Sequence, residues 1–161
     1  MTIAVFNPAL QADCIKKVKR AFPLETGGVF MGFWRNSNFV VITKVIGPGP
    51  KAKPALTSFE PDQDWQLSQI ADYYNKSDRR ETYLGDWHSH PEAQNGDLSI
   101  TDTLVLRRII KTPKARTKKP LMAIFFGKPD DWGKTLWCAK LKPRKFLWPK
   151  LVLEELNIFQ D

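Results

Sequence analysis

Residues 83–91 read Tyr83-Leu84-Gly85-Asp86-Trp87-His88-Ser89-His90-Pro91; a polar run, 92–98, separates them from Ser99-Ile100-Thr101-Asp102. The first stretch reads as a strand up to His90, and the polar run as a loop opening into a helix at Ser99. His88 and His90 are the only two histidines in the chain. At a spacing of i,i+2 on a strand, both imidazoles face the same side. Two imidazoles side by side at a strand end are a natural pair of zinc ligands, and a catalytic zinc needs a third protein ligand and an open position. Asp102, on the first turn of the next helix, is the best candidate. Asp86, Glu92 and Asp97 are the other acids nearby, and Asp86 shares the histidine face by parity. Ser99-x-x-Asp102 also reads as a capping box. The two readings are compatible, because a capped helix start is a rigid platform for a ligand.

Outward from this stretch the chain alternates helices and strands. Residues 8–21 put Leu10, Cys14, Ile15 and Val18 on one side of a helix that starts at Pro8. GGVFMGFW and FVVITKVI, on either side of Asn36-Ser37-Asn38, predict a hairpin. The run 47–61 carries four prolines and two glycines and reads as a long, semi-rigid loop. A helix is expected over 61–77, with Pro61 in its first turn and Trp65, Ile70 and Tyr73 packing. A further helix runs from Ser99 to Lys111. Strands are expected at 121–126 and 135–141, and a short terminal helix with Pro149 at its first position. The order α-β-β-α-β-α-β-β-α is an α+β pattern, and 161 residues fit one domain over 1–161.

The composition, 42% hydrophobic and 26% charged, is that of a globular chain. No apolar run reaches the ~18 residues a membrane span needs, and MTIAVFNPAL does not read as a signal peptide. Cys14 and Cys138 are too few for a cysteine zinc site or a disulfide scaffold, so a cytoplasmic location is expected. The net charge of +8 raises nucleic acid as a partner. That charge is uneven: 60–102 holds 10 acidic and 3 basic residues, whereas 103–129 holds 8 basic residues and no acid. The acidic block contains the candidate ligands. The basic block suits an acidic protein surface as readily as nucleic acid.

The combination His88-Ser89-His90-Pro91, loop, Ser99-x-x-Asp102, with Glu25 upstream in Glu25-Thr26-Gly27-Gly28-Val29-Phe30-Met31-Gly32, resembles the JAB/MPN (JAMM) metalloprotease family. The loop before Ser99 is about one residue longer than that family's usual spacing, an insertion near Asn95-Gly96. The resemblance implies a JAB/MPN-like (cytidine-deaminase-like) domain, with a mixed central sheet flanked by helices. It implies one zinc per chain held by His88, His90 and Asp102, with Glu25 as general base and acid and Ser99 as donor to the oxyanion. All five positions are present, which argues against an inactive scaffold.

Members with this arrangement cut after the C-terminal glycine of ubiquitin or ubiquitin-like proteins. Gly47-Pro48-Gly49-Pro50, Phe59-x-Pro61-Asp62 and Tyr83-Leu84-Gly85-Asp86-Trp87 look like the stand-alone bacterial JAB proteins, which accompany ubiquitin-transfer-like enzymes in anti-phage operons. The resemblance therefore implies a ubiquitin-like protein or its conjugate as partner; segments 47–61 and 91–98 are candidates to line the groove, or else structural connectors. A sulfur-carrier-processing peptidase would use the same chemistry. A nucleic-acid-associated protein, disfavoured because no DNA module is visible, and a scaffold using its terminal helix are the alternatives from other classes. No membrane partner is expected.

Overall fold

The computed structural model describes residues 1–159. Its centre is the strand read first, β6, here numbered in chain order with β1 (Ile3–Phe6), α1 (Pro8–Ala21), β2 (Gly27–Asn36) and β3 (Phe39–Ile46) before it. Two short strands, β4 (Lys53–Pro54) and β5 (Phe59–Glu60), pair within the Pro/Gly segment and lead to α2 (Gln63–Lys76). β6 spans Thr82–Pro91 and α3 spans Ile100–Lys111; after one 3-10 turn come β7 (Leu121–Lys128), β8 (Asp131–Arg144), β9 (Leu147–Glu155) and β10 (Asn157–Phe159).

Eight strands form one mixed sheet in the order β10-β1-β3-β2-β6-β7-β8-β9. β6 lies antiparallel to β2 and parallel to β7. Strand alternation divides the core between the two faces. Phe30, Trp87, Phe125 and Leu136 pack with Cys14 and Val18 of α1. Val29, Met31 and Ile46 pack with Trp65, Ile70 and Tyr73 of α2. Met122, Ile124 and Ala139 pack with Leu106 and Ile110 of α3. A Cβ on Gly28 would stand 1.9 Å from the Ile46 carbonyl oxygen and 2.7 Å from the Trp87 indole nitrogen. The absent side chain lets the Trp87 N–H reach that carbonyl at 3.1 Å.

The α+β class and the mixed sheet with flanking helices are those expected. α1 begins at Pro8, with the Asn7 side chain capping Leu10 N–H. α2 starts two residues later than expected, because the Asp62 side chain accepts from Trp65 N–H and so becomes the cap, leaving Pro61 outside. The expected terminal helix is a strand instead. β8 continues to Arg144, well past residue 141, and leaves an unpaired edge that the tail takes up as β9. Leu151 packs there against the α3 cluster, Leu156 enters the main core, and β10 joins β1. Tertiary pairing thus overrides the helical reading of the leucines. β1 was not anticipated.

Candidate metal centre

β6 carries His88 and His90 to its C-terminal end. The polar loop then turns the chain back so that α3 begins beside them. Gly96 anchors this loop: its carbonyl accepts from Thr135 Oγ1 at 2.5 Å and from the Trp137 indole N–H at 2.8 Å. A Cβ at Gly96 would sit 2.1 Å from Thr135 Oγ1, so this close approach requires glycine. The insertion expected near Asn95-Gly96 is thus a pinned part of the loop.

Ser99 caps α3. Its backbone N–H and its hydroxyl each donate to Asp102 Oδ2 at 2.7 Å, and Asp102 N–H donates back to Ser99 Oγ at 3.1 Å. This is a complete capping box, and it aims the carboxylate at the histidines. His88 Nε2 lies 3.1 Å from Asp102 Oδ1 and 3.0 Å from His90 Nε2, and His90 Nε2 lies 3.7 Å from Asp102 Oδ2. Ligand atoms about 2.0–2.1 Å from a zinc in tetrahedral geometry stand about 3.3 Å apart. The three separations bracket that value, so the donor set fits a zinc ion. His88, His90 and Asp102 form the cluster of metal-ligating type among the described residues. Asp86, left open by parity, is outside it; its carboxylate accepts the Tyr83 hydroxyl at 2.7 Å.

Burial works against the Asp102 carboxylate, but His88 and the Ser99 donors outweigh it and hold its pKa down at about 2. Burial lowers the pKa of His90, as does neighbouring His88, against the pull of Asp102. Both shifts keep the groups in the form that binds a metal. Glu25 sits just before β2, whose Gly27 pairs with His88. Burial raises its pKa, His88 opposes the rise, and Asp102 adds to it.

A residue that sequence reasoning passed over fixes Glu25's segment. Ser89 is fully buried on the face opposite the histidines. Its hydroxyl accepts from Thr26 N–H at 3.0 Å, and its own N–H donates to the Thr26 carbonyl at 2.8 Å. Glu25 N–H in turn donates to Ala55 O in the Pro/Gly segment. The only sequence signal for this clamp was a small hydroxyl residue at the inward parity between two outward histidines.

Two open clefts lie at this end of the sheet. One, of about 600 Å³, is lined by Glu92, Gln94, Phe126, Gly127, Lys128 and Asp131. The other, of about 460 Å³, is lined by Lys17, Arg20, Thr26, Pro48, Phe59 and Trp65 among others.

A family profile described as prokaryotic homologs of the JAB domain matches residues 8–139, which includes β6, the loop and all of α3. The chain belongs to this family. Among its JAB relatives, "Probable metalloprotease y4qB" of Sinorhizobium fredii is 43% identical over 137 residues, covering 85% of this chain and 84% of that one. "CD-NTase/cGAS isopeptidase" of Escherichia coli is 27% identical over 108 residues, 67% of this chain and 65% of that one. Both names are those of peptidases, which supports JAB-type peptidase chemistry. The solution structure of protein DSY2949 from Desulfitobacterium hafniense superimposes with a TM-score of 0.67 at 18% identity, covering 99% of this chain and 93% of that one, a likeness of fold.

Proposed function

We propose that this JAB domain is a zinc-dependent isopeptidase that cleaves after the C-terminal glycine of a ubiquitin-like protein or of its conjugate. The observation that carries the reading is the convergence of His88, His90 and Asp102 donor atoms within 4.8 Å of one another, beside the half-buried carboxyl of Glu25. A zinc ion held there would lower the pKa of a bound water to about 7 and polarise the scissile carbonyl.

The residues of the chain would do the rest. Glu25 takes a proton from the attacking water and passes it to the leaving amine. Ser99 turns its hydroxyl from Asp102 to the oxyanion as negative charge develops. The 47–61 segment lines one cleft and Glu92 and Gln94 line the other, and an extended glycine tail would bind along one of these segments.

The name of the Escherichia coli relative favours a conjugated nucleotidyltransferase as target, in bacterial anti-phage defence, with ubiquitin-transfer-like enzymes as partners. The test is a panel of fusions incubated with purified, zinc-loaded protein: several ubiquitin-like proteins, a sulfur carrier ending in Gly-Gly, and an isopeptide-linked conjugate. Cleavage after the terminal glycine of ubiquitin-like fusions and of the conjugate is expected. Cleavage of the sulfur carrier alone would move the reading to carrier processing, and no cleavage of any member would contradict it.

A further inference from the structure

β9 is the outermost strand at one end of the sheet, three positions from β6. Among the described residues only β8 pairs with it. The direction of its backbone groups follows from the ladder. Leu156 N–H bonds to Leu136 O, and Ala139 N–H bonds to Pro120 O on the β7 side. In the same register Cys138 faces Glu154, Lys140 faces Val152 and Lys142 faces Lys150. The even residues of β9 therefore bond to β8, and Leu151, Leu153 and Glu155 turn their N–H and C=O groups outward. Pro149, which has no N–H, falls on an outward position, as edge prolines do. The open groups are a template for another strand.

From this edge we infer that β9 pairs antiparallel with β9 of a second copy of this chain about a twofold axis at Val152. The sequence Pro149-Lys150-Leu151-Val152-Leu153-Glu154-Glu155 is self-complementary in that register. Leu151 faces Leu153 of the second copy, and the two exchange outward backbone bonds. Lys150 faces Glu154 of the second copy, in a non-hydrogen-bonded pair where side chains stand closest. Among the described residues Lys150 has no ion pair within the chain. Glu154 uses Oε1 to accept Thr2 N–H at 2.8 Å, which leaves Oε2 for the lysine.

In the registers centred on Leu151 or Leu153, Lys150 faces Val152 or Leu156 of the second copy and the lysine–glutamate match is lost. Centred on Lys150, the pair sets lysine against lysine; centred on Glu154, it sets glutamate against glutamate. Pro149 cannot donate, so the ladder has a natural end on the hairpin side. The match of opposite charges in this register, lost in the two flanking ones and turned to like charges in those beyond, selects a second copy as the occupant. The pairing is at the sheet edge, so it leaves the metal centre open and puts two centres in one assembly.

The experiment is sedimentation velocity of the full chain over a range of concentrations, in moderate salt. A reversible monomer–dimer equilibrium is expected. Lys150→Glu alone and Glu154→Lys alone should each weaken it about tenfold or more, since each sets like charges opposite one another twice per dimer. The double variant K150E/E154K should restore it. Leu153→Pro, which removes an outward donor, should abolish it, with circular dichroism showing a retained fold. A monomer at every concentration, a double variant as weak as the singles, or a dimer indifferent to Leu153→Pro would overturn the inference.

Discussion

Burial raises the pKa of Glu25, His88 offsets part of the rise, and Asp102 adds to it. A carboxyl raised in the folded state is a net cost to folding once it ionises. Glu25→Gln removes that ionisation and should raise the Tm of the metal-free protein while lowering kcat about 10²–10⁴-fold, read by thermal melts and turnover of the same preparation. The stability of the metal-free protein should also depend on pH. Asp102 is depressed from 3.8 to about 2, so its contribution is present above 3.8 and is lost as pH falls through about 2. His90 is also depressed, so the unfolded chain takes up its proton first and stability declines as pH drops below 6.5. Denaturant unfolding of the metal-free protein across this range should show both losses.

At the scale of elements, the site was legible because β6 and the start of α3 obey local rules. Period-two alternation put His88 and His90 on one face, and the cap chemistry of Ser99 and Asp102 placed the helix start. The capping box and the candidate ligand are the same carboxylate in the structure. What could not be read is what non-local pairing decides. The tail 147–159 has leucines and a proline in a helical arrangement, but β8 offers an edge far away in sequence and the tail completes it. Asp86 shared the parity of the histidines, and only the position of Tyr83 shows why its carboxyl is engaged elsewhere. The clamp between Ser89 and Thr26 is equally non-local. Ser89→Ala leaves the Thr26 N–H buried without its acceptor, at a cost of about 1–3 kcal/mol. It should also lower kcat through displacement of Glu25 while zinc content stays unchanged; denaturant unfolding, metal analysis and turnover check the three parts separately. Gly28→Ala sets a Cβ against the Ile46 carbonyl and should destabilise the β2–β3 pair by about 1–3 kcal/mol, measured in the same way.

Over the whole molecule, the basic block 103–129 begins on α3. Asp102 opens this helix at the metal centre, and Arg108 and Lys111 close it. The chain then carries Lys114, Arg116, Lys118 and Lys119 to the far end of β7. These four cations lie beyond the end of β6 away from His88 and His90, since Leu121 pairs with Gly85. No described helix is long and apolar enough to cross a membrane. A charge distribution of this kind steers an acidic partner before contact. With an acidic protein conjugate as substrate, kcat/KM should fall as salt rises while kcat stays nearly constant, a split that stopped-flow and steady-state kinetics resolve. The expectations about turnover depend on the proposed zinc peptidase centre of Glu25, His88, His90, Ser99 and Asp102. The most direct measurement is zinc content together with single-turnover cleavage of a ubiquitin-like fusion, for the parent chain, Glu25→Ala and His88→Ala. The parent should bind about one zinc and cleave; Glu25→Ala should keep the zinc and lose cleavage; His88→Ala should lose both. Full cleavage by Glu25→Ala, or undiminished zinc binding by His88→Ala, would contradict the account.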